Sequence, residues 1–281
     1  MLTLGYTGPT ERTPADMRVL RFSLFFTILL FVAALLWRPL ETRIMTISSS
    51  TNRPTALARQ LVLVTTADWS AVTGTLQRFE RAEFNQPWKA VGTAIPIVVG
   101  RNGMAWGRGL HGAPTGAGPI KQEGDGKAPA GVFRLSAAFG YVSRQDARNV
   151  KLPYIESRTS SECVDDVEST HYNRILDRSQ TATTDWKSSE QMRRADDLYR
   201  WGVVVDHNAG TPIPGGGSCI FLHIWVSPST GTSGCTAMEP ARIEELLGWL
   251  DPVAGPVLVQ LPVAEATRLR ALWDLPLPSQ Q

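Results

Sequence analysis

"CIFLHIWVSPSTGTSGC" occupies residues 219–235 and carries two of the three cysteines and one of the four histidines in this chain of 281 residues. An apolar run, entered from the turn at Gly215 to Gly217, gives way to a loop of Ser, Thr and Gly that ends on Cys235. Read as a strand over 218–226, it alternates its side chains. Cys219, Phe221, His223 and Trp225 share one face, while Ile220, Leu222, Ile224 and Val226 share the other. The wholly aliphatic face belongs in a core, so His223 projects from the mixed face, where Phe221 and Trp225 are candidate walls of a cleft. Taken alone, a single histidine there reads as a satisfied core side chain. The return loop shifts the balance, because small polar residues can double back and bring Cys235 to His223. A thiol of ordinary pKa about 8.5 is little ionised near neutrality, and an imidazole that accepts or holds its proton makes it a usable nucleophile. Gly234 permits close approach of a substrate, and the N–H groups of Gly234 and Cys235 can face a tetrahedral oxyanion.

The apolar fraction of 43% is that of an ordinary globular protein. With 28 basic and 26 acidic residues the formal net charge is +2, so nothing implies general attraction to nucleic acid, and no such partner is expected. One segment is of another kind. Phe22 to Trp37 (FSLFFTILLFVAALLW) is uncharged and bounded by Arg21 and Arg38. It is short for a spanning helix, which needs roughly 20 apolar residues, and long for the apolar part of a cleaved leader, roughly 7 to 15. Residues 1–46 are therefore read as an N-terminal hydrophobic helix, either signal peptide or signal anchor, that engages the membrane or export machinery. Met17, opening "MRVLR", is an alternative start. "ISSSTNRPT" at 47–55 reads as part of a linker over 47–59. The protein is expected to be exported, periplasmic or in the cell envelope, secreted or anchored.

From Gln60 the character changes. "QLVLVTT" at 60–66, "AIPIVVGRNGMAWG" at 94–107, "AGVFRLSAAFGY" at 130–141, "WGVVVDHN" at 201–208 and "GPVLVQLP" at 255–262 are β-rich runs punctuated by turn residues. They predict a mostly β, largely antiparallel domain over 60–265 with a few short helices, followed by a tail at 266–281. Between 142 and 200 the composition turns polar, which reads as an insertion, a surface excursion or a lid. Its end, "SSEQMRRADDLYR", spaces Met192, Ala195 and Leu198 or Tyr199 near a helical period. In "EPARIEELLGWL" Ile243, Leu246, Leu247 and Leu250 recur at i, i+3, i+4 and i+7, with Pro240 suited to the first turn. "GRGLHG" at 107–112 matches a dinucleotide fingerprint by letter, but "APTGAGP" follows where a helix must open, so it reads as a loop in which His111 is solvated.

Three cysteines are an odd number. Pairing Cys163 with Cys219 would leave Cys235 free, though spacing does not fix connectivity. Cys219, His223 and Cys235, with or without His207, could instead ligate zinc, but no Cys-x-x-Cys or His-x-x-x-His spacing supports it. No metal and no cofactor is expected. His207, at a strand end before "NAGTPIPGGG", reads as a turn histidine rather than a base.

With these residues in view, the chain resembles the L,D-transpeptidase catalytic-domain family, the YkuD type, over residues 60–262. The resemblance rests on "GRNGMAWG", on "EGDGKAPAGVFRLSAAFGY" and above all on His223 followed by "TSGC" ending at Cys235. It implies a β-sandwich-like catalytic fold of two sheets, with the cysteine loop at the mouth of a cleft. It implies also that Cys235 attacks a peptidoglycan stem peptide, releases D-alanine and passes the acyl group from a thioester to an amine. His223 would be the general base, the amides of Ser233, Gly234 and Cys235 the oxyanion site, and Thr232 a further cleft residue beside Phe221 and Trp225. Many members carry His before Gly-Cys and Arg or Asn two residues after the cysteine, whereas this chain has Ser233 and Ala237. The insertion around "CVDDVESTHYN" marks a particular branch, in which Asp165, Asp166 and Tyr172 read first as loop hydrogen-bonders. A hydrolase using the same Cys/His pair, an L,D-carboxypeptidase or endopeptidase, and a silent wall-binding domain are the alternatives.

Overall fold

The structure is a computed structural model and describes residues 53–113 and 116–276. The expected N-terminal hydrophobic helix lies outside them. The strands are β1 (Gln60–Thr66), β2 (Thr73–Glu80), β3 (Lys89–Val98), β4 (Met104–Trp106), β5 (Ala128–Gly140), β6 (Tyr154–Glu156), β7 (Ser161–Val164), β8 (Ile175–Asp177), β9 (Ser189–Gln191), β10 (Trp201–Val205), β11 (Phe221–Ile224), β12 (Thr236–Met238) and β13 (Val257–Pro262). The helices are α1 (Pro240–Trp249) and α2 (Val263–Trp273). A mostly β fold is what the alternating runs predicted.

The expected pair of stacked sheets is not what forms. The main sheet runs β10-β11-β12-β3-β2-β1-β13-β5, and β5 pairs in turn with β10, so the sheet closes into a barrel-like ring. The long strand β5 makes closure possible. Gly131 to Arg134 pair with β13, while Leu135 and Ala137 to Gly140 pair with β10, and the register shifts between Val204 and Val205, where Ser136 of β5 is the extra residue. The pairing is mixed, since β1–β13 and β11–β12 are parallel. β1 and β13 are apolar on both faces, and Leu61 to Val64 and Val257 to Val259 are buried, as strands covered on both sides require. Gly202 on β10 lies against the ring of Phe139, where an added Cβ would come within 2.2 Å of Cζ.

Helix α1 follows the predicted pattern. Pro240 occupies its first turn, and Ile243, Leu246 and Leu247 are buried, with Leu250 closing the helix. Each such leucine contributes about 1.5–3 kcal/mol by leaving water. Two expectations change. Residues assigned to a tail belong to α2, whose Ala266, Leu269 and Trp273 are buried. The segment 188–200 contains no helix. It forms β9 and then turns, because Cys163 on β7 pairs with Glu190 and the Asp196 carboxylate accepts from the Leu198 N–H, a local bond that competes with helix formation.

The insertion is a three-stranded sheet, β8-β7-β9, tied to the barrel at several points. Cys163 and Cys219 form a disulfide across a sequence separation of 56. Asn173 Nδ2 donates to His207 O and Asn208 O, and Asn173 Oδ1 accepts from Cys219 N at 2.9 Å. Tyr172 Oη donates to Glu123, which also accepts from the Ser218 hydroxyl. Asp166 accepts from the N–H groups of Glu168 and Lys187, the loop role expected of it. These ties make the insertion a fixed wall. Closing a 56-residue separation stabilises the fold by about 4 kcal/mol through the unfolded chain. Urea unfolding of Cys163→Ser against wild type is expected to show a loss of that order.

Candidate active site

The site begins with a parallel pairing. Leu222, His223 and Ile224 of β11 lie beside Thr236, Ala237 and Met238 of β12, so Cys235, one residue before β12, comes level with Phe221. The Phe221 N–H donates to Cys235 Sγ at 3.3 Å. The two strand faces separate as read from the alternation. Ile220, Leu222 and Ile224 join the main core, whereas Cys219, Phe221 and Cys235 join a second cluster with Phe139, Cys163, Met192 and Tyr199. Val226 departs from the pattern at 68% exposure, because β11 ends at Ile224. Both His223 and Cys235 are only 6% exposed.

The loop before the cysteine is shaped by Thr232. Its N–H donates to Val99 O and its carbonyl accepts from Arg101 N. Its hydroxyl donates to Cys235 O at 2.6 Å and accepts from Gly234 N at 3.1 Å. The Gly234 amide, one of the three expected oxyanion donors, is therefore already engaged. No acceptor within the described residues takes the N–H of Ser233 or of Cys235, so those two remain available. Gly234 has φ +155, and a Cβ there would meet the Lys127 carbonyl at 3.1 Å.

Cys235, His223, Trp225, Thr232, Ser233 and Gly234 line one cleft of about 420 Å³, joined by Asp165, Glu190, Arg194, Leu198 and Tyr199 from the insertion. Phe221 is a correction. It is 1% exposed and packs edge-to-face on Phe139 and Tyr199 beneath the cleft. His207 and His111 take no part. His207 Nδ1 accepts from Arg108 N and its Nε2 donates to Gly216 O, so it is a structural clamp held neutral by burial, with its pKa pushed down to about 3. His111, expected in solvent, is half-buried and bonds Val132 N and Gly107 O. Zinc ligation by Cys219 is ruled out by its disulfide.

The chemistry turns on two buried neutral groups. His223 Nδ1 lies 2.8 Å from Ile224 O, and a carbonyl only accepts, so Nδ1 carries the proton and the Nε2 lone pair is left as a base. Burial pushes the imidazole pKa down to about 4, partly offset by the Ile224 carbonyl. Burial, reinforced by the Glu190 carboxylate, pushes the Cys235 thiol up to about 12. The thiol donates to Cys219 O at 3.5 Å, and no hydrogen bond joins it to His223. A ready-made thiolate–imidazolium pair is thus disfavoured, which leaves the imidazole the part of accepting the thiol proton, one of the two the sequence reading gave it.

Sequence reasoning missed Glu190 and assigned Tyr199 to a helix that does not form. The Tyr199 hydroxyl donates to Glu190 Oε2 at 2.7 Å, and its ring packs edge-on to His223 with centroids 5.0 Å apart. The Glu190 pKa is raised by burial and then by the Asp165 and Glu123 carboxylates, against the Tyr199 hydrogen bond.

A family model described as the L,D-transpeptidase catalytic domain, YkuD, matches residues 81–259. No curated protein and no solved structure matches.

Removing the Glu190 charge should favour the thiolate. For Glu190→Gln, the pH profile of Cys235 alkylation by iodoacetamide, followed by intact-protein mass, is expected to move to lower pH than in wild type. An unmoved profile would contradict the assigned influence of Glu190 on the sulfur.

Proposed function

The chain belongs to the L,D-transpeptidase catalytic-domain family, and on that premise we propose that it is an exported cysteine acyltransferase acting on peptidoglycan stem peptides through a thioester on Cys235. The observation that carries this reading is the free thiol in one cleft with a neutral histidine whose Nδ1 proton is committed to a backbone carbonyl. A disulfide fits export, because oxidising compartments keep such bonds.

With a peptide bound, the Cys235 thiol leaves the Cys219 carbonyl and turns toward His223. Its proton passes to Nε2 as the sulfur bonds to the carbonyl carbon, so the charged pair forms together with the new bond. The resulting oxyanion is met by the N–H groups of Ser233 and Cys235. Collapse breaks the C–N bond, and the departing amine of D-alanine takes the proton from His223. An acceptor amine then attacks the thioester and gives a proton to His223; collapse breaks the C–S bond, and the departing sulfur takes that proton back as the thiol. Water in place of the amine would give the hydrolase, which muropeptide products distinguish.

Cys235→Ala is expected to abolish D-alanine release with the circular dichroism spectrum unchanged, and to abolish the mass adduct that a carbapenem, a strained acyl donor, leaves on wild type. Adduct formation at another residue, or turnover that survives in the variant, would refute the assignment. His223→Gln should lower kcat/KM by about 10²–10⁴-fold. Because the base works unprotonated, activity limited by His223 should fall as pH drops through about 4, well below the ordinary histidine range.

A further inference from the structure

Three cations line the cleft, namely Arg101, Lys121 and Arg194. Two are already neutralised, Lys121 by Asp125 at 2.6 Å and Arg194 by Asp196 through both carboxylate oxygens. Arg101 has no carboxylate within ion-pair distance among the described residues. Its guanidinium is nevertheless held in place, because Nη1 donates to the Ser233 hydroxyl at 3.1 Å, two residues before the nucleophile. The backbone is fixed as well. Arg101 N donates to Thr232 O at 2.7 Å, and Gly100 bridges to Thr232. The absence of side chains at Gly231 and Gly126 lets the segments meet, since an added Cβ would come within 2.6 Å of Arg101 Cα at the first and 3.1 Å of its guanidinium carbon at the second.

An exposed arginine with no carboxylate partner among the described residues gains little from being pinned to a hydroxyl. A guanidinium held at the edge of a reactive loop is suited to a carboxylate, which it binds through two parallel N–H···O bonds. Glu123, Asp165 and Glu190 line the same cleft, so a negatively charged group entering it has one favourable unpaired neighbour. In the proposed reaction the terminal carboxylate of the donor belongs to the residue just beyond the scissile carbonyl, about 3.8 Å further along the chain. With the scissile carbonyl held by the amides of Ser233 and Cys235 in that reaction, a group one residue away is within reach of a guanidinium bonded to the Ser233 side chain. Resting on the proposed acyl transfer, we infer that Arg101 is the specificity-determining anchor for the C-terminal carboxylate of the acyl donor. The role thereby falls to a residue upstream of the cysteine motif, where Ala237 leaves no cationic or amide side chain after the nucleophile.

The test uses the full-length protein and a synthetic stem tetrapeptide ending in D-alanine, supplied either with a free terminal carboxylate or as the terminal carboxamide. Arg101→Gln is expected to raise KM for the free-acid donor by about tenfold or more, with kcat nearly unchanged. It should make no difference to the carboxamide, which wild type already handles poorly, and Arg101→Lys should recover part of the loss. Iodoacetamide labelling of Cys235 in each variant verifies that the site is intact. Equal losses on both donors, or no change on either, would overturn the anchor while leaving the acyl transfer standing. If wild type releases neither D-alanine from the free-acid donor nor D-alaninamide from the carboxamide although Cys235 is alkylated, the reaction itself fails and the anchor with it.

Discussion

The parallel pairing of β11 with β12 is the constraint on which the rest depends. It fixes Cys235 level with Phe221 and one step along the same face from His223, and it can exist only because the intervening loop leaves β11 and returns to its side. That return is held by Thr232, which bonds to Val99, Arg101, Gly234 and Cys235. Closure of the barrel through β5 and β10 then supports β11 from its other edge, where Gly202 faces His223 in register and admits the Phe139 ring. A bulkier residue at 202 would press on Phe139 and, through Phe221 and Tyr199, on the floor of the cleft.

Burial on that floor sets the electrostatics. Low polarity disfavours both the thiolate and the imidazolium, so each pKa moves in the direction that keeps the resting pair neutral. The insertion deepens the effect by bringing Glu190, which forms no ion pair among the described residues, close to the sulfur. Its disulfide to Cys219 anchors this wall two residues before Phe221. Cys219 takes φ +54 there, a conformation that side chains rarely adopt and that the disulfide and the Asn173 bond hold.

Alternation was enough to read the two faces of β11, and the 3.6-residue period of Ile243, Leu246, Leu247 and Leu250 was enough to read α1, because both patterns report burial on one side. The order of His223 and "TSGC" marked the site residues that the cleft brings together. Closure of the sheet was not legible, since no local signal says that the second half of β5 will pair with β10. Phe221 was placed in the wall because alternation gives a face and not a depth, and a second core lies beneath that face. The period over Met192 to Tyr199 misled for a related reason. Met192 and Tyr199 are buried, but against the barrel through turns set by Asp196, so helical spacing arose without a helix. Glu190 carried no signal, as its proximity to Cys235 arises from pairing across the insertion. The α2 helix did carry one, in Ala266, Leu269 and Trp273.

A neutral resting pair has a consequence for how a cysteine can work in this cleft. A preformed thiolate would be reactive toward any electrophile that entered, whereas a thiol whose proton leaves only as the carbon–sulfur bond forms depends on a substrate held at the right distance from both Sγ and Nε2. The cleft supplies the means for such selection. The Thr232 hydroxyl occupies Gly234 and leaves two amides for the proposed oxyanion, and the resting thiol donates to Cys219 O rather than to His223. In the proposed reaction charge appears late, in a space from which the bound peptide would exclude water, where fixed amide dipoles act most strongly. On the proposed acyl transfer, the cost of burying the nucleophile is offset by interactions that exist only once the correct acyl group is in place.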